Sequence, residues 1–293
     1  IEAGNRGRRV LVIELADRVG KKILISGGGR CNFTNLLAVP EVYVSGNPRF
    51  AISALTRYTS ADVVGLVERH DITYHEKKLG QLFCDDSAQQ IVDLLLRECA
   101  DASVEIETSC AVEDVARING VFRLATTLGG VASESLIVAT GGLSIPQMGA
   151  TGFAYDLARR FGLRITKTRP GLVPFTFNGA TLELCNSLSG VSVDTTVTCN
   201  GVSWRENILF THRGLSGPAI LQASSYWHDG DDVTIDLLPE LDDVNAYLVD
   251  QRSRRPTIDL AVAVGDLIPR RLALALCGAD GARPLGALSN KAL

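Results

Sequence analysis

The sequence has no CxxC pair, no Cys/His cluster, no internal repeat and no low-complexity tract. Its seven cysteines, at positions 31, 84, 99, 110, 185, 199 and 277, are odd in number and widely scattered. That pattern argues against zinc and iron–sulfur centres, and no metal site is expected. Thiols spread in this way serve as small core residues in a reducing compartment. No run of about 18 apolar residues is present for a membrane span. The closest, 258–276, is broken by Asp266, Pro269, Arg270 and Arg271. There is no signal-peptide pattern, so the expectation is a cytoplasmic protein without a membrane partner. Excess positive charge is also missing. A net charge of −4 lacks the basic footprint of a nucleic-acid binder, so a small-molecule substrate and no nucleic-acid partner are expected. The oligomeric state is left open.

What is present is an ordinary globular composition, 46% hydrophobic and 21% charged over 293 residues, enough for one to three domains. Residues 1–9 read as a helix end closed by Gly7, and the run VLVIE at 10–14 as a buried parallel strand. Helical spacing covers 49–70 and 87–100, with Ile91, Leu94 and Leu95 on one face. Short strands are expected at 103–108, 112–117 and 121–127, and a buried one at 135–140 (SLIVAT) running into Gly141 and Gly142. A helix at 152–161 closes at Gly162, and the alternation to this point is that of a layered α/β domain. After Arg169-Pro170 the chain turns rich in Thr, Val and Ser, with strands at 191–198 and 233–238 and a turn at Asn200-Gly201. From Asp242, read as an N-cap, to Leu274 it is helical again, interrupted at Pro269. The expected division is 1–168 and 169–293, with a helical subdomain from about 242.

Three features carry chemistry. Glu14 ends the first strand, where dinucleotide-binding folds place a ribose-binding acid about 20 residues after the first glycine of GxGxxG. Equally, it is an acid that only ends a strand at the surface. The stretch 21–35, KKILISGGGRCNFTN, removes three successive Cβ atoms, so that backbone N–H groups can approach a ligand closely. Arg30 offers a fork of donors for a phosphate or a flavin carbonyl, and Asn32, Thr34 and Asn35 supply short polar groups. The competing reading is a flexible glycine turn flanked by solvated polar residues. The third feature is Thr140–Gly142, where a strand runs into two glycines and can pass tightly under a dinucleotide, or is an ordinary β-turn.

These motifs, with 139–162 (ATGGLSIPQMGATGFAYDLARRFG), RPGLVPFTF and ILFTHRGLSGPAILQASSYW, resemble the BaiN-like (YhiN-type) NAD(P)/FAD-dependent oxidoreductase family. These are two-dinucleotide-binding-domain flavoproteins with aminoacetone oxidase-like members. The resemblance covers essentially the whole chain. It implies an α/β fold, a Rossmann-like FAD-binding domain with an inserted mostly-β plus helical domain, with FAD as cofactor and NADH or NADPH as a possible electron donor. It places Glu14 on the adenosine ribose, and Lys22, Ser26, Gly28, Gly29, Arg30, Cys31 and Asn32 along the pyrophosphate and flavin. Val112 would meet the adenine through its backbone, and Thr140, Gly141 and Gly142 would close around the dinucleotide. Cys31 reads as a packed structural thiol, since no second cysteine is near in sequence to resolve it. The family's N-terminal GxGxxG strand-turn and C-terminal return segment are absent from 1–293 and would precede Ile1 and follow Leu293.

Catalytic residues are not identified by the motifs. Within 210–218 (FTHRGLSGP), His212 could titrate near neutrality, Arg213 could hold an anion and Ser216 could hydrogen-bond a substrate, or His212 is a structural residue. His70, His75 and His228 are read as non-catalytic. The stretch 76–83 (EKKLGQLF) departs from the family's E-x-x-G-R-x-F-P-like pattern, with Gln81 for the basic residue and Cys84 for the proline. The leading expectation is therefore an FAD-dependent oxidoreductase of unidentified small-molecule substrate. Its rivals are an oxidase of small amines or amino-ketones and a truncated or catalytically inactive flavoprotein-derived binding module.

Overall fold

A computed structural model describes residues 1–290 and divides into two compact units, Ile1–Lys167 and Thr168–Leu293. The first unit opens with a single helical turn, α1 (Glu2–Asn5), and Gly7 leaves it at φ +74. Strand β1 (Val10–Ile13) follows, then α2 (Lys21–Ile25), a tight turn over Ser26–Gly29, and β2 (Asn32–Asn35). Two helices come next, α3 (Ile52–Arg57) and α4 (Ser60–Arg69). The helical spacing of 49–70 predicted no break, but Thr59 starts a new helix there. Its hydroxyl accepts from the Asp62 N–H at 3.2 Å, and the Asp62 carboxylate accepts from the Thr59 N–H at 2.7 Å, a reciprocal cap.

Strands β3 (Tyr74–Glu76) and β4 (Gln81–Cys84) then pair, and with β2 form an antiparallel sheet of order β2-β4-β3. Helix α5 (Gln89–Asp101) buries Ile91, Val92 and Leu94. Strand β5 (Val104–Glu107) runs parallel to β1, with Val10 opposite Val104. A meander of β6 (Val112–Ile118), β7 (Val121–Thr126) and β8 (Gly129–Ser133) precedes α6 (Phe153–Arg160), which Gly162 ends at φ +76.

Two expectations fail here for one reason. The segment 135–140 is not a strand, and Ile137 is 81% exposed. Strand β1 does run parallel to a neighbour, but Leu11 and Val12 are exposed rather than buried. A strand needs a bonded neighbour, and burial needs a layer on each face. Apolar residues alone supply neither. Among the described residues β1 has a single neighbour, β5, and no strand pairs with 135–140.

The second unit is built on one antiparallel sheet. Strand β9 (Phe175–Thr176) and helix α7 (Gly179–Ser187) lead into the long hairpin of β10 (Ser192–Cys199) and β11 (Val202–Thr211). Asn200 at φ +49 and Gly201 at φ +78 join them in a two-residue turn whose twist suits a hairpin. Strand β12 (Gly214–Ser216), helix α8 (Pro218–Ser224) and strand β13 (Val233–Asp236) complete the order β13-β10-β11-β12-β9. Along β10 the inward residues alternate: Val193, Thr195, Val197 and Cys199 are buried. Thr195 carries a hydroxyl into this core and donates it to the Glu206 carbonyl at 3.0 Å, so no polar group is stranded. Ala219, Ile220 and Ala223 of α8 cover the same core.

Three helices follow, α9 (Val244–Arg254), α10 (Leu260–Gly265) and α11 (Arg270–Cys277). Leu272 and Ala273 of α11 join the sheet's core, while Leu248, Leu260, Leu285 and Leu288 form a second cluster. The N-cap of α9 is Asp243 rather than Asp242, because the Asp243 carboxylate accepts from the Ala246 N–H at 2.9 Å. Pro269 sits at the N-cap of α11, where its missing N–H costs nothing. Among the described residues no helix is long and apolar enough to cross a membrane, and no group of three His, Cys, Asp or Glu side chains could hold a metal.

Two outcomes test this packing. At Gly217, φ is +96 and a Cβ would stand 2.7 Å from the Asn207 carbonyl oxygen. Gly217→Ala should cost about 2 kcal/mol or more. Gly190→Ala, at φ +86 with open space around it, should cost about 1 kcal/mol. Equal denaturant midpoints for the two would contradict the packing. Burial, and then the neighbouring Cys31, push the Cys84 thiol up to about 11. Iodoacetamide at about pH 8 should spare Cys84 in the folded protein and label it after denaturation.

Candidate functional site

The glycine loop is held by its own polar residues. The Ser26 hydroxyl donates to the Ile23 carbonyl at 2.8 Å, and the Ser26 carbonyl accepts from the N–H groups of Arg30 and Cys31. The Gly29 carbonyl accepts from the Ala88 N–H at 2.7 Å, and that of Arg30 from the Cys84 N–H at 3.0 Å. With its amide oriented to suit its neighbours, Asn32 donates to the carbonyls of Thr34 (3.0 Å) and Leu82 (3.2 Å). Asn35 accepts from the Leu37 N–H and donates to the Leu79 carbonyl. Ser26, Asn32 and Asn35, which the sequence suggested as ligand groups, are thus occupied in shaping the loop.

The glycine backbone itself is left uncovered. Gly27, Gly28 and Gly29 lie at φ +57, +69 and +86, and Cys31 at +52. A Cβ at Gly27 would stand 2.7 Å from the Phe83 ring and 2.9 Å from the Asn32 nitrogen, so this glycine is demanded by packing. At Gly28 no atom lies within 4 Å of a Cβ position, so the loop presents bare backbone to open space. Bare backbone of this kind could hold a phosphate or a flavin edge. Arg30 is exposed and makes no side-chain hydrogen bond among the described residues. Cys31 is buried in one cluster with Cys84, so a second thiol does lie beside it, brought there by the β2–β4 pairing rather than by sequence proximity.

Other expected residues gather in the same unit. Lys22 donates to the carbonyl and hydroxyl of Ser144 (3.1 and 3.2 Å), which ties α2 to the segment carrying Thr140, Gly141 and Gly142. Thr140 and Gly141 are exposed, the latter at φ +75 with open space around it, and Gly142 faces the Tyr155 hydroxyl. The Glu14 carboxylate accepts from the Ala16 N–H at 2.8 Å through one oxygen, and the Glu14 carbonyl accepts from the Cys110 N–H. Val112 and Leu136 pack with Ile13 against Val115, Leu124 and Leu157. Cations also collect around the loop. Lys21 pairs with Asp17, whose carboxyl is held low by that hydrogen bond and charge, and Lys77 lies 5.3 Å from the Phe83 ring centre.

His212, Arg213 and Ser216 belong to the second unit. His212 and Arg213 form the exposed tip between β11 and β12, beside a cleft of about 270 Å³ that Thr176, Phe177, Asn178 and Leu182 also line. Ser216 stands on β12 opposite Leu209. Of the remaining histidines, His70 bonds Glu98 at 2.8 Å and His228 bonds Asp231 at 3.2 Å. His75 was set aside by sequence reasoning, yet it lies 2.7 Å from Asp85 on the sheet that adjoins the glycine loop. In the sequence it stands just before the stretch 76–83 that departs from the family pattern.

Comparison with known proteins defines the family. The HI0933-like protein Rossmann domain matches residues 1–211, and the HI0933-like protein barrel and H2TH domain matches residues 169–293. The ribosomal RNA dihydrouridine synthase of Escherichia coli K12 is 50% identical over 271 residues, spanning 92% of this chain and 68% of that protein. The protein of the same name from Haemophilus influenzae is 44% identical, over 91% and 67%. The 3-dehydro-bile acid delta(4,6)-reductase of Clostridium scindens is 25% identical, over 80% and 59%. The two stronger likenesses overturn the expectation of no nucleic-acid partner, because both relatives are named for an RNA substrate. The exclusion failed because net charge averages over a whole chain, whereas RNA is also recognised by stacking and shape at local sites. Matched along its whole length by these two descriptions, the chain belongs to the HI0933-like protein family, with a Rossmann-like domain and a barrel and H2TH domain.

Proposed function

We propose that this protein is an FAD-dependent reductase that converts a uridine of ribosomal RNA to dihydrouridine. The observation that carries the reading is the Ser26–Cys31 loop. Its three glycines are left-handed; Gly27 packs on Phe83, and Gly28 is open to space. It lies in a chain half identical to an RNA dihydrouridine synthase. The backbone of Gly28 and Gly29 and the Arg30 guanidinium would hold the pyrophosphate and flavin edge. Glu14, with one oxygen engaged by Ala16, would accept from a ribose hydroxyl through the other, and Val112 and Thr140–Gly142 would close the adenine and dinucleotide side. When bound, FAD supplies two-electron transfer, with NADH or NADPH as the source of electrons.

The protein's own contribution is position and charge. Lys22 fixes the 140–144 segment against α2 through Ser144. Arg30 and the lysines near the loop place positive charge where a phosphate-bearing substrate or cofactor meets it.

Two measurements test this. The protein should take up FAD with an absorbance near about 450 nm. Gly28→Ala should weaken FAD binding at least about tenfold, a loss of about 1.4 kcal/mol. Gly190→Ala, equally left-handed but in the second unit, should leave it unchanged. Second, ribosomal RNA lacking the modification, incubated with the FAD-loaded protein and NADPH, should gain two hydrogen atoms at one uridine by mass spectrometry. Unmodified RNA together with NADPH-dependent reduction of a small enone would contradict the RNA assignment.

A further inference from the structure

The stretch 76–83 that departs from the family pattern is flanked by a polar pair, His75 and Asp85, that the flavin-holding loop does not use. His75 stands in the middle of β3, directly opposite Phe83 of β4. Two contacts fix its ring. The Nδ1 atom lies 2.7 Å from Asp85 Oδ1, and the imidazole stacks on Phe83 with centroids 6.3 Å apart and planes 19° apart. Phe83 is in turn the ring against which Gly27 is pressed. Phe83 thus touches both the imidazole and Gly27, and the loop residue Arg30 acts through its charge on the Asp85 carboxylate.

Orientation follows from the pair. With Nδ1–H donating to Asp85, Nε2 is the nitrogen free to carry and release a proton. The hydrogen bond from His75, then one from Thr73 and the charges of His75 and Arg30, hold the Asp85 carboxyl below the usual carboxylate range. The ring thus faces a carboxylate. Charged neighbours of the pair include Arg30 from the loop, which acts on Asp85, and Lys77, whose ammonium lies over the Phe83 ring. The His75 side chain is 44% exposed, so it exchanges protons with water. An exposed His–Asp pair adds little to stability. A ring held twice, beside a bare backbone cradle, is placed for chemistry.

We propose that His75, oriented by Asp85, is the proton donor of the reaction, an inference that rests on the RNA-reductase reading above. Reducing the uracil C5–C6 double bond requires two electrons and two protons. One carbon receives both electrons with a proton, supplied by reduced nicotinamide by way of the flavin. The other carbon takes its proton from Nε2 of His75. The imidazolium becomes neutral imidazole and is reprotonated from water. Asp85 keeps its proton inventory throughout and acts as a positioning residue.

The test uses the FAD-loaded protein, NADPH and unmodified ribosomal RNA. In His75→Ala, reduction of the flavin by NADPH should stay within about twofold of the parent, while RNA reduction falls about a hundredfold. Imidazole added to the buffer should restore at least about tenfold of that loss, which also shows that the variant is folded. Asp85→Asn should lower RNA reduction about tenfold and move its pH profile. Independently of activity, carbon NMR of the Asp85 carboxyl should show its titration moving up toward the ordinary range in His75→Ala. His75→Ala reducing RNA within about threefold of the parent, or losing activity without imidazole rescue, would overturn the proton-donor assignment. A parent protein that leaves the RNA unreduced would instead overturn the RNA-reductase reading itself.

Discussion

The contact of Gly27 with the Phe83 ring is the constraint on which the site depends. It forces a residue without a Cβ into the loop and fixes where the loop turns. Beyond Gly27, Gly28 and Gly29 are left-handed as well, and Gly28 is exposed with open space at its Cβ position. The carbonyl of Ser26 gathers the N–H groups of Arg30 and Cys31 behind it. The same ring carries His75 on its stack and Lys77 over its face. One aromatic side chain thus sets the shape of the cradle and the position of the charged groups beside it.

The second unit solves a different problem. Its hairpin of β10 and β11 presents one apolar face, and α8 and α11 cover that face with small and branched residues. Close approach is secured by glycines where backbone meets backbone: a Cβ at Gly214 would lie 2.2 Å from the Phe175 carbonyl oxygen. This packing fixes the tip that carries His212 and Arg213, although both side chains remain in solvent. Each unit has its own core, so the loop geometry of the first is explained without reference to the second.

Much of this was legible in the residues. Period-two burial along β10, the Asn200-Gly201 turn, the apolar face of α5 and the glycine that ends α6 are local properties of sequence. Three things were not. The segment 135–140 carries the apolar run of a strand, but pairing depends on a neighbour that no local pattern specifies. Cys31 and Cys84 lie 53 positions apart in sequence (84 − 31) and meet only because β2 pairs with β4. His75 looks idle in sequence because Asp85 and Phe83 reach it across the β3–β4 ladder, a register that spacing alone does not disclose. The polar residues of 26–35 were legible as a motif, but their division of labour was not. Ser26, Asn32 and Asn35 hold the loop, and the exposed surface is glycine backbone.

The central claim is that this bare backbone receives the flavin. Amide hydrogen exchange of the protein with and without FAD measures it directly. The account predicts that Gly28, Gly29 and Arg30 gain protection on adding FAD, together with Gly141 and Gly142, while the β11–β12 tip is not required to change. Unchanged exchange at Gly28 and Gly29 under saturating FAD, with protection appearing elsewhere, would contradict it.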